Sequence, residues 1–381
     1  MALNTGGDRY DVIVVGAGAC GLSTAWNLAR RGRSVLVLDR FTAGHDRGSS
    51  HGTERIVRLA HVDPIYVSLA LDALDGWREI ERHSGAMLIN QTGAIDLSDE
   101  SAGDAELVEM ATACAEFGIE MHWLAPREVA NRFPGMYPHT SALFHSQGGT
   151  VRAAEALRVL RGMGQRLGAV FRYAARVVSI EPTSDGVHVS TLDGRYQAST
   201  VVIAAGAWAS RMLEGLADLP GYRVTQEQLA YFRPTGDLRQ SPWPTFISRT
   251  TPRRYGLTTP DGLVKVAEHH TGPVVDPDDR SFEIEPVTWQ RLCNWVGETF
   301  PGLEPEPVNF STCLYASAPD EDFVLDRVGN VVIGVGLSGH GFKFVPEIGR
   351  RLADLADGIG WAGNPFALQR APRHVGASGH K

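Results

Sequence analysis

The feature that most constrains the fold of this chain is a glycine-rich turn between an apolar strand and a helix. Residues 11–21 run from a continuous apolar stretch into the pattern Gly-x-Gly-x-x-Gly. A continuous apolar run is typical of a parallel strand that is covered on both faces. Residues 21–31 then carry apolar side chains at helical spacing, and residues 34–38 predict a second strand that ends at Asp39. The sequence therefore predicts a β-α-β unit over residues 10–39.

The three glycines of this turn have separate physical roles. Gly16 permits the tight turn, Gly18 lets the backbone approach a pyrophosphate, and Gly21 lets the helix pack on the strand. The phosphate then lies at the helix N-terminus, where free amides and the helix dipole favour negative charge. Asp39 follows Gly21 by 18 residues, where its carboxylate would accept from ribose hydroxyls. The pattern predicts a bound dinucleotide but does not distinguish FAD from NAD.

A second glycine-rich turn, near the C-terminus, follows another apolar strand. Residues 338–344 come after the strand-like residues 330–335, and Cys313 lies shortly upstream. This turn would place backbone amides and Lys343 where the reacting ring of a bound cofactor lies. The two turns together indicate a flavin oxidoreductase that acts on a small anion.

The composition fits a protein of two domains. A chain of 381 residues, 43% of them hydrophobic, is long enough for two cores. The net charge of -8 is spread along the sequence, so nothing marks a nucleic-acid surface. The four cysteines lack the spacing of a metal site or a disulfide framework, and no metal is predicted.

The apolar stretch at residues 12–28 belongs to the nucleotide-binding unit rather than to a signal peptide or a membrane span. Asp8, Arg9 and Asp11 lie directly before it, and its glycines match the nucleotide turn. The protein is expected to be soluble, cytoplasmic and monomeric, with no nucleic-acid or membrane partner.

The order of patterns along the chain predicts an α/β fold (α+β overall) with two interleaved domains. Helices are predicted at residues 155–167 and 346–356, a ribbon at 177–180 and 187–191, and a buried strand at 201–208. Residues 224–315 show an antiparallel pattern. We expect a discontinuous Rossmann-type FAD-binding domain and an antiparallel-sheet substrate domain. The FAD-binding domain takes residues 1–84, 150–217 and 318–381, and the substrate domain takes residues 85–149 and 218–317.

Residues 48–58, which read Gly-Ser-Ser-His-Gly-Thr-Glu-Arg-Ile-Val-Arg, add a specific family resemblance. The chain resembles the monomeric sarcosine oxidase and N-methyltryptophan oxidase family of flavoproteins along essentially its whole length. The resemblance also rests on the opening turn, Lys265 with His269, and residues 205–208, 313–315 and 339–344. The order of these six segments carries it, rather than any single one.

The resemblance implies that FAD is attached covalently, through a thioether from Cys313 to the 8-methyl carbon of the ring. The attacking group is a thiolate, so the cysteine needs a cationic neighbourhood, which Arg55 could supply. Without the resemblance, an isolated cysteine is most often an inert core residue. That interpretation is kept for Cys20, Cys114 and Cys293.

The resemblance further implies that Arg58 and Lys343 clamp the carboxylate of the substrate. An arginine fork and a lysine point charge both suit a carboxylate. The alternatives are that Arg58 is a surface helix residue paired with Glu54, and that Lys343 is a solvated loop residue.

Lys265 and His269 share one face of a predicted strand. The resemblance implies that Lys265 contacts the flavin N5 region and activates oxygen, and that His269 lines the amine site. The alternatives are an edge-strand lysine and an ordinary turn histidine. Glu268 and His270 are expected on the opposite face, in solvent.

The resemblance assigns the remaining site residues. The catalytic set is Lys265, His269, Arg55 and Tyr315, and the substrate-binding set is Arg58, Lys343, Tyr255 and His340. The cofactor-binding set is Gly16, Gly18, Gly21, Asp39, Ser49, Val177, Gly206, Trp208, Cys313, Gly339, Gly341, Phe342 and Lys343. Core packing remains the alternative for Tyr255.

Two departures from the family pattern bear on the substrate. His61 stands where sarcosine oxidases carry a tyrosine, and residues 247–255 include Arg249, Arg253 and Arg254. This segment is more basic than sarcosine alone requires. A larger or more acidic amino acid is therefore expected.

The sequence predicts an enzyme that oxidises the C–N bond of a secondary α-amino acid, N-methylated or cyclic. The products are an imine, which water hydrolyses, and hydrogen peroxide from oxygen. Two alternatives remain open: a dehydrogenase that passes electrons to a carrier, and an FAD-binding subunit of a heteromeric amine oxidase. An NAD-dependent dehydrogenase is the least favoured interpretation.

Overall fold

The computed structural model describes residues 9–99, 101, 103–219, 221–236 and 242–370. The strands in these residues are β1 (Arg9–Val15), β2 (Val35–Leu38), β3 (Glu54–Val57), β4 (Ile89–Asn90), β5 (Ala94–Leu97), β6 (His122–Leu124), β7 (Ala142–His145), β8 (Gly149–Arg152), β9 (Val170–Arg172), β10 (Val177–Thr183), β11 (Gly186–Thr191), β12 (Arg195–Ile203), β13 (Arg223–Phe232), β14 (Thr245–Ser248), β15 (Arg254–Thr258), β16 (Val264–Glu268), β17 (Asn309–Ser317), β18 (Val324–Val328) and β19 (Val331–Val335). The helices are α1 (Ala19–Arg30), α2 (Pro64–Ser84), α3 (Ala105–Glu116), α4 (Pro126–Arg132), α5 (Ala153–Arg166), α6 (Ala209–Leu213), α7 (Pro286–Thr299) and α8 (Val345–Ala356).

The first large sheet contains the predicted β-α-β unit. Strand β1 lies between β12 and β2 and is parallel to both, and β9 and β19 extend the parallel region. Alternate side chains of β1 enter different cores, since successive strand residues point to opposite faces. Val12 and Val14 pack with α1 and α8, whereas Ile13 and Val15 pack with α6 and the β10–β11 ribbon. Burial on both faces explains why the sequence of β1 is a continuous apolar run.

Predicted elements of this sheet are confirmed with small shifts. The predicted helices at 21–31, 155–167 and 346–356 are α1, α5 and α8, and the predicted ribbon is the antiparallel pair β10 and β11. The predicted strand at 201–208 is too long, because β12 ends at Ile203 and Gly206–Trp208 form a 3-10 turn. Gly206 has φ +52, a left-handed conformation that ends an extended strand.

The second large sheet has eight strands in the order β17-β13-β16-β15-β14-β5-β7-β6. Its pairs are antiparallel, as predicted for residues 224–315, except that β14 is parallel to β5. Phe232, Phe246 and Trp243 fill the core beneath it. These side chains pack against α7, which the predicted antiparallel pattern of residues 224–315 missed.

Both unpredicted long helices carry ordinary start signals in the sequence. Glu285 caps α7 by accepting from the amides of Val287 and Thr288, and Pro286 occupies the first turn. Asp63 caps α2 by accepting from the amide of Ile65. Helix α2 ends at Gly85, which has φ +73. The starts of both helices could therefore have been predicted from their capping residues.

A small sheet of three strands, in the order β3-β8-β4, pairs segments of the chain that were assigned to different domains. The first large sheet takes its strands from residues 9–38, 170–203 and 324–335. The second takes its strands from residues 94–97, 122–145 and 223–317. We keep the predicted domain division as a proposal based on these two sheets. Residues 371–381 of the predicted FAD-binding domain lie outside the described residues.

Within the described part of the chain, no helix has both the length and the apolar character needed to cross a lipid bilayer.

Candidate active site

Residues from both large sheets line one cavity of about 640 Å³. The predicted site residues that line it are Gly16, Gly18, Asp39, Ser49, Arg55, Arg58, Val177, Gly206, Trp208, Tyr255, Lys265, His269, Cys313, Tyr315, Gly339, His340, Gly341, Phe342 and Lys343. Gly21 does not line the cavity. A Cβ at Gly21 would lie 3.2 Å from Cγ1 of Val14, so this glycine allows α1 to pack on β1.

The start of α1 forms one end of the cavity, and the backbone is exposed there because side chains are absent. Gly16 has φ +105, and a Cβ on it would lie 2.9 Å from the carbonyl carbon of Ala204. A Cβ on Gly18 would lie 3.1 Å from Oγ of Ser50, which accepts from the amide of Ala19 at 3.1 Å. This end has the backbone geometry that a pyrophosphate requires.

Asp39 holds the shape of this turn in addition to its predicted ribose contact. Its Oδ2 accepts from the amide of Ala17 at 2.7 Å, and its Oδ1 accepts from the amide of Phe41 at 2.8 Å. The side chain is buried at the end of β2. The carboxylate therefore joins β2 to the glycine turn.

Cys313 lines the same cavity, on β17, near the predicted cation Arg55. Burial raises the pKa of the Cys313 thiol to about 11, although the positive charge of Arg55 acts to lower it. The Arg55 guanidinium donates to the carbonyls of Ser49 and His51 and lies 5.5 Å from the ring centroid of Phe342. Arg55 is thus fixed beside the cysteine, but burial has the larger effect on the thiol.

Lys265 lies in the interior of the second sheet, so the edge-strand alternative is wrong. Its strand β16 pairs with β13 on one side and β15 on the other. Its Nζ donates to the carbonyl of Glu54 at 3.2 Å. Burial, followed by the charge of Arg55, lowers the Lys265 pKa to about 7. A lysine that titrates near neutral pH is typical of functional sites.

His269, Tyr255 and Tyr315 form a hydrogen-bonded group on the cavity wall. The Tyr315 hydroxyl lies 3.2 Å from the Tyr255 hydroxyl and 3.2 Å from Nδ1 of His269. Burial lowers the pKa of His269 well below its ordinary value and raises the pKa of both tyrosines. All three side chains are therefore neutral near pH 7.

The expectation that Glu268 and His270 are solvated is wrong. Glu268 is only 2% exposed, and it pairs with Arg254 and Arg291. His270 has φ +58, so the strand does not continue through it. Its ring therefore turns towards His269, with the two ring centroids 4.1 Å apart.

In the predicted carboxylate clamp Lys343 is buried and Arg58 is half-buried, so neither alternative holds. Arg58 follows strand β3 rather than lying on a surface helix. Lys343 lies in the 3-10 turn Gly341–Phe344, and its Nζ donates to the carbonyl of His340 at 2.6 Å. Burial lowers the pKa of Arg58 to about 10. Burial and the nearby Arg58 charge lower the pKa of Lys343 further below its ordinary value.

The arginines near this clamp pair with carboxylates, whereas Lys343 does not within the described part of the chain. Arg58 pairs with Asp96 at 3.3 Å, Arg249 pairs with Asp96 and Glu106, and Arg253 pairs with Glu106 at 3.1 Å. Glu321 adds a third carboxylate that acts on Arg253 from farther away. Lys343, by contrast, forms no ion pair with a carboxylate among the described residues, and a buried cation without such a partner favours a bound anion.

The basic segment at residues 247–255 has a structural role. Arg249 is buried between Asp96 and Glu106, and Arg254 pairs with Glu268. These positive charges are compensated within the protein, so they do not favour a more acidic substrate.

Two histidines lie on the clamp side of the cavity. Nε2 of His340 lies 3.2 Å from the carbonyl of Glu321, and the His340 ring stacks on Phe323. His61, the departure from the family tyrosine, contacts the rings of Tyr66 and Phe344. An aromatic face is thus retained at position 61.

Several cavity residues were not assigned a role from the sequence. They include Cys20, Ser50, His51, Arg158, Arg161 and Tyr173. His51 and Ser50 lie inside the motif at residues 48–58, so the motif itself was the signal that could have identified them. Burial, with the charge of Arg55, lowers the His51 pKa to about 4. Cys20 is a buried residue, as expected, and it also contacts the cavity.

Comparison with known proteins identifies the group to which this architecture is similar. The model of the family described as DAO, FAD dependent oxidoreductase, matches residues 11–355. The human peroxisomal sarcosine oxidase is 33% identical, over 96% of this chain and 97% of that protein. A monomeric sarcosine oxidase of Streptomyces avermitilis is 32% identical, over 97% and 98% of the two chains. The structure of NikD, an unusual amino acid oxidase essential for nikkomycin biosynthesis, superposes with a TM-score of 0.84 at 29% identity, over 98% of this chain and 100% of that one.

Proposed function

Since the chain belongs to the FAD-dependent oxidoreductase family, we propose that it oxidises the C–N bond of a secondary α-amino acid, N-methylated or cyclic. The human and Streptomyces relatives are sarcosine oxidases, and NikD is an amino acid oxidase. The observation that carries the proposal is that the cations Arg58 and Lys343 line the same cavity as the glycine turn, and that no carboxylate of the described residues pairs with Lys343. A carboxylate held there would place its amine beside His269 and Tyr315.

The cavity residues fit FAD. The bare backbone at Gly16 and Gly18 suits the pyrophosphate, and Asp39 lies at the ribose position of the turn. When bound, FAD supplies an acceptor for the hydrogen and two electrons of the C–N bond. We propose that Cys313 holds the cofactor covalently, since it is the cysteine next to Arg55 and Lys265 in the cavity.

The carboxylate clamp fixes the orientation of the substrate. Arg58 is held by Asp96 and by the carbonyl of Ala60 at 2.5 Å, so its position is set before a substrate binds. Lys343 is anchored on the carbonyl of His340. Pre-positioned charges lower the entropic cost of orienting the amine for reaction.

The neutral group around Tyr315 receives the amine. His269 is uncharged because burial lowers its pKa, so a ring nitrogen can accept a hydrogen bond from an amine N–H. The hydroxyls of Tyr255 and Tyr315 complete a wall without charge. This wall favours the neutral amine, the form that can be oxidised. Water then hydrolyses the imine product.

Lys265 is assigned to the reaction with oxygen. A lysine that is protonated below about pH 7 places positive charge in a buried site. Such a charge stabilises the negative charge that develops when oxygen accepts electrons. We therefore propose oxygen as the acceptor and hydrogen peroxide as the second product.

The test is a peroxide screen over N-methyl, cyclic and glycated amino acids. We expect hydrogen peroxide in proportion to the oxygen consumed with at least one N-substituted α-amino acid. Substrate-dependent reduction of an artificial dye without peroxide would instead indicate a dehydrogenase. Silence across the whole panel, with FAD present in the protein, would contradict the proposed substrate class.

The clamp is tested by binding of carboxylate inhibitors. Arg58→Ala or Lys343→Met should weaken binding by roughly 2–5 kcal/mol, the usual cost of truncating a buried charged partner. Titration of the flavin absorbance measures the affinity. Arg195→Ala, which removes an exposed arginine paired with Glu181, should leave it unchanged. Equal affinities in all variants would remove Arg58 and Lys343 from the site.

We further propose a cytoplasmic monomer. The Streptomyces avermitilis relative is a monomeric sarcosine oxidase. Sedimentation equilibrium tests the monomer, and cell fractionation tests the location.

A further inference from the structure

Three side chains of types that bind metal ions lie together at the cavity wall. The proposed oxidation gives a role to His269 but not to the other two. His269, His270 and Glu321 each present one donor atom, and the three atoms lie within 4.8 Å of one another. His269 and Glu321 line the cavity. All three side chains are half-buried.

The backbone at this point explains how two consecutive histidines come to share one side. In an extended strand, adjacent side chains point to opposite faces. His270 instead has φ +58, and its ring lies 4.1 Å from that of His269. Glu321 is also in the left-handed region, with φ +59, at a turn where its amide donates to the carbonyl of Ala318. Two separate segments are therefore folded towards the same point.

The donor atoms of the group are available for a ligand. Nε2 of His270 is buried and has no hydrogen-bond partner among the described residues. This atom lies 3.6 Å from Oε2 of Glu321. The Tyr315 hydroxyl lies 3.2 Å from Nδ1 of His269, a contact that fixes the orientation of this ring. Histidine ligands in metal sites are commonly oriented in this way by their second nitrogen.

Two imidazole nitrogens and one carboxylate oxygen form a donor set typical of Zn²⁺ with one open position. Ligands about 2.1 Å from a tetrahedral ion lie roughly 3.4 Å from each other. Small side-chain rotations of half-buried groups can close the spacing observed here. Zn²⁺ therefore suits the group in both chemistry and size.

We propose that His269, His270 and Glu321 form a Zn²⁺ site at the wall of the cavity, and that the bound ion excludes the amine substrate. The metal site stands on its own geometry, whereas its effect on catalysis rests on the proposed function. Inhibition follows because His269 cannot hold the ion and receive the amine at the same time. Arg253 and Lys343 act on this region with positive charge, which opposes a dication and weakens binding.

The site is tested first by zinc binding to the flavin-containing full-length protein, by equilibrium dialysis without substrate. We expect one Zn²⁺ per chain, with affinity weakened at least about tenfold in His270→Asn, since even indirect changes at metal sites cost this much. Glu321→Gln should weaken binding as well. X-ray absorption at the zinc edge should show imidazole ligands in the wild type.

The chain offers a matched control in an exposed histidine–glutamate pair. Nε2 of His122 lies 3.7 Å from Oε1 of Glu120, nearly the spacing at His270, but without a second histidine. His122→Asn should bind Zn²⁺ like the wild type. Equal zinc affinity and stoichiometry in wild type, His270→Asn and Glu321→Gln would overturn the proposal.

The effect on catalysis is tested separately, by the peroxide assay with and without Zn²⁺. In the wild type and in His122→Asn, Zn²⁺ should raise KM for the amine with little change in kcat. Zinc binding without inhibition would retain the site and overturn the claim that it excludes substrate. Failure of the peroxide assay itself would contradict the proposed function and leave the dialysis result to decide the metal site.

Discussion

At the scale of single residues, burial rather than neighbouring charge sets the ionisation of the candidate site. The Cys313 pKa is raised to about 11 although Arg55 acts in the opposite direction. The pKa values of Lys265 and His269 fall, again with burial as the largest cause. Desolvation disfavours whichever form is charged, so the three groups shift towards neutrality. A charge that the substrate or the cofactor adds to this cavity should therefore change the pKa values of these groups strongly.

Removal of the proposed attachment point should release the flavin. In Cys313→Ala, we expect the flavin to appear in the supernatant after acid precipitation, whereas the wild-type pellet stays yellow. Cys20→Ala is a close control, because Cys20 is also a buried cysteine that lines the cavity. Flavin absorbance of pellet and supernatant gives the result. A yellow pellet from Cys313→Ala, or a colourless one from the wild type, would contradict covalent attachment through Cys313.

Lys265 should make stability depend on pH. Its pKa is about 7 in the folded protein and 10.5 in the unfolded chain. Between these values the folded protein binds fewer protons, so the free energy of unfolding rises with pH. Lys265→Met should be more stable than the wild type near pH 7, and this advantage should shrink towards pH 10.5. Urea unfolding of flavin-free protein at both ends of this window measures the change; an equal difference at both ends would be the contrary result.

At the scale of elements, close packing between helices and strands positions the cavity. Helix α1 begins at the nucleotide turn, and α8 begins at Val345, directly after the turn that carries Lys343. The two helices meet at Gly349, where a Cβ would lie 2.7 Å from the carbonyl carbon of Ser23. The absence of a side chain at this position lets both turns approach the same cavity.

Gly349→Ala should therefore destabilise the protein, although alanine is the better helix former. We expect a loss of about 1–3 kcal/mol from overpacking against the α1 backbone. Gly162→Ala is the matched control within α5, where the nearest atom to the new Cβ is the end of the Arg166 side chain at 3.6 Å. It should gain roughly 0.5–1 kcal/mol from helix propensity. Chemical denaturation measures both, and equal effects would remove the packing argument.

At the scale of the whole molecule, the chain passes repeatedly between its two large sheets. Strands of the first sheet come before, between and after those of the second. The three-stranded sheet pairs β3 and β4 with β8, which lies between the other two. Neither large sheet is built from a continuous segment that could be separated from the other.

The flavin-containing protein should consequently unfold in one cooperative step. Scanning calorimetry should show a single transition, which moves to higher temperature when a carboxylate inhibitor binds, because ligand binds only the folded state. The inhibitor is proposed to contact Arg58 in one domain and Tyr255 in the other. It should therefore stabilise both domains together and keep the transition single. Two resolved transitions, of which only one responds to inhibitor, would contradict this coupling.

Most residues predicted for the candidate site lie in short sequence motifs, which is why a single sequence could point to them. The turn at Gly16, the motif around Arg55 and Arg58, and the turn at Lys343 are local patterns, and the structure brings them to one cavity. The prediction for Glu268 was wrong because alternation along a strand does not reveal a distant partner such as Arg291. The prediction for His270 was wrong because its left-handed backbone conformation breaks the alternation. Helices α2 and α7 were missed despite visible caps.

The sequence by itself determined the β-α-β unit, the two glycine turns and the family, since strand period, helix period and turn chemistry act over a few residues. Only the tertiary structure decided which charges compensate each other. Asp96 lies far along the chain from Arg249, yet it pairs with this arginine of a segment that the sequence presented as free positive charge. Likewise, the sequence left an edge-strand position open for Lys265, and only the pairing of its strand on both sides places it in the interior of the sheet. The physical reason is that burial and ion pairing depend on contacts between distant segments, and these contacts exist only once the chain has folded.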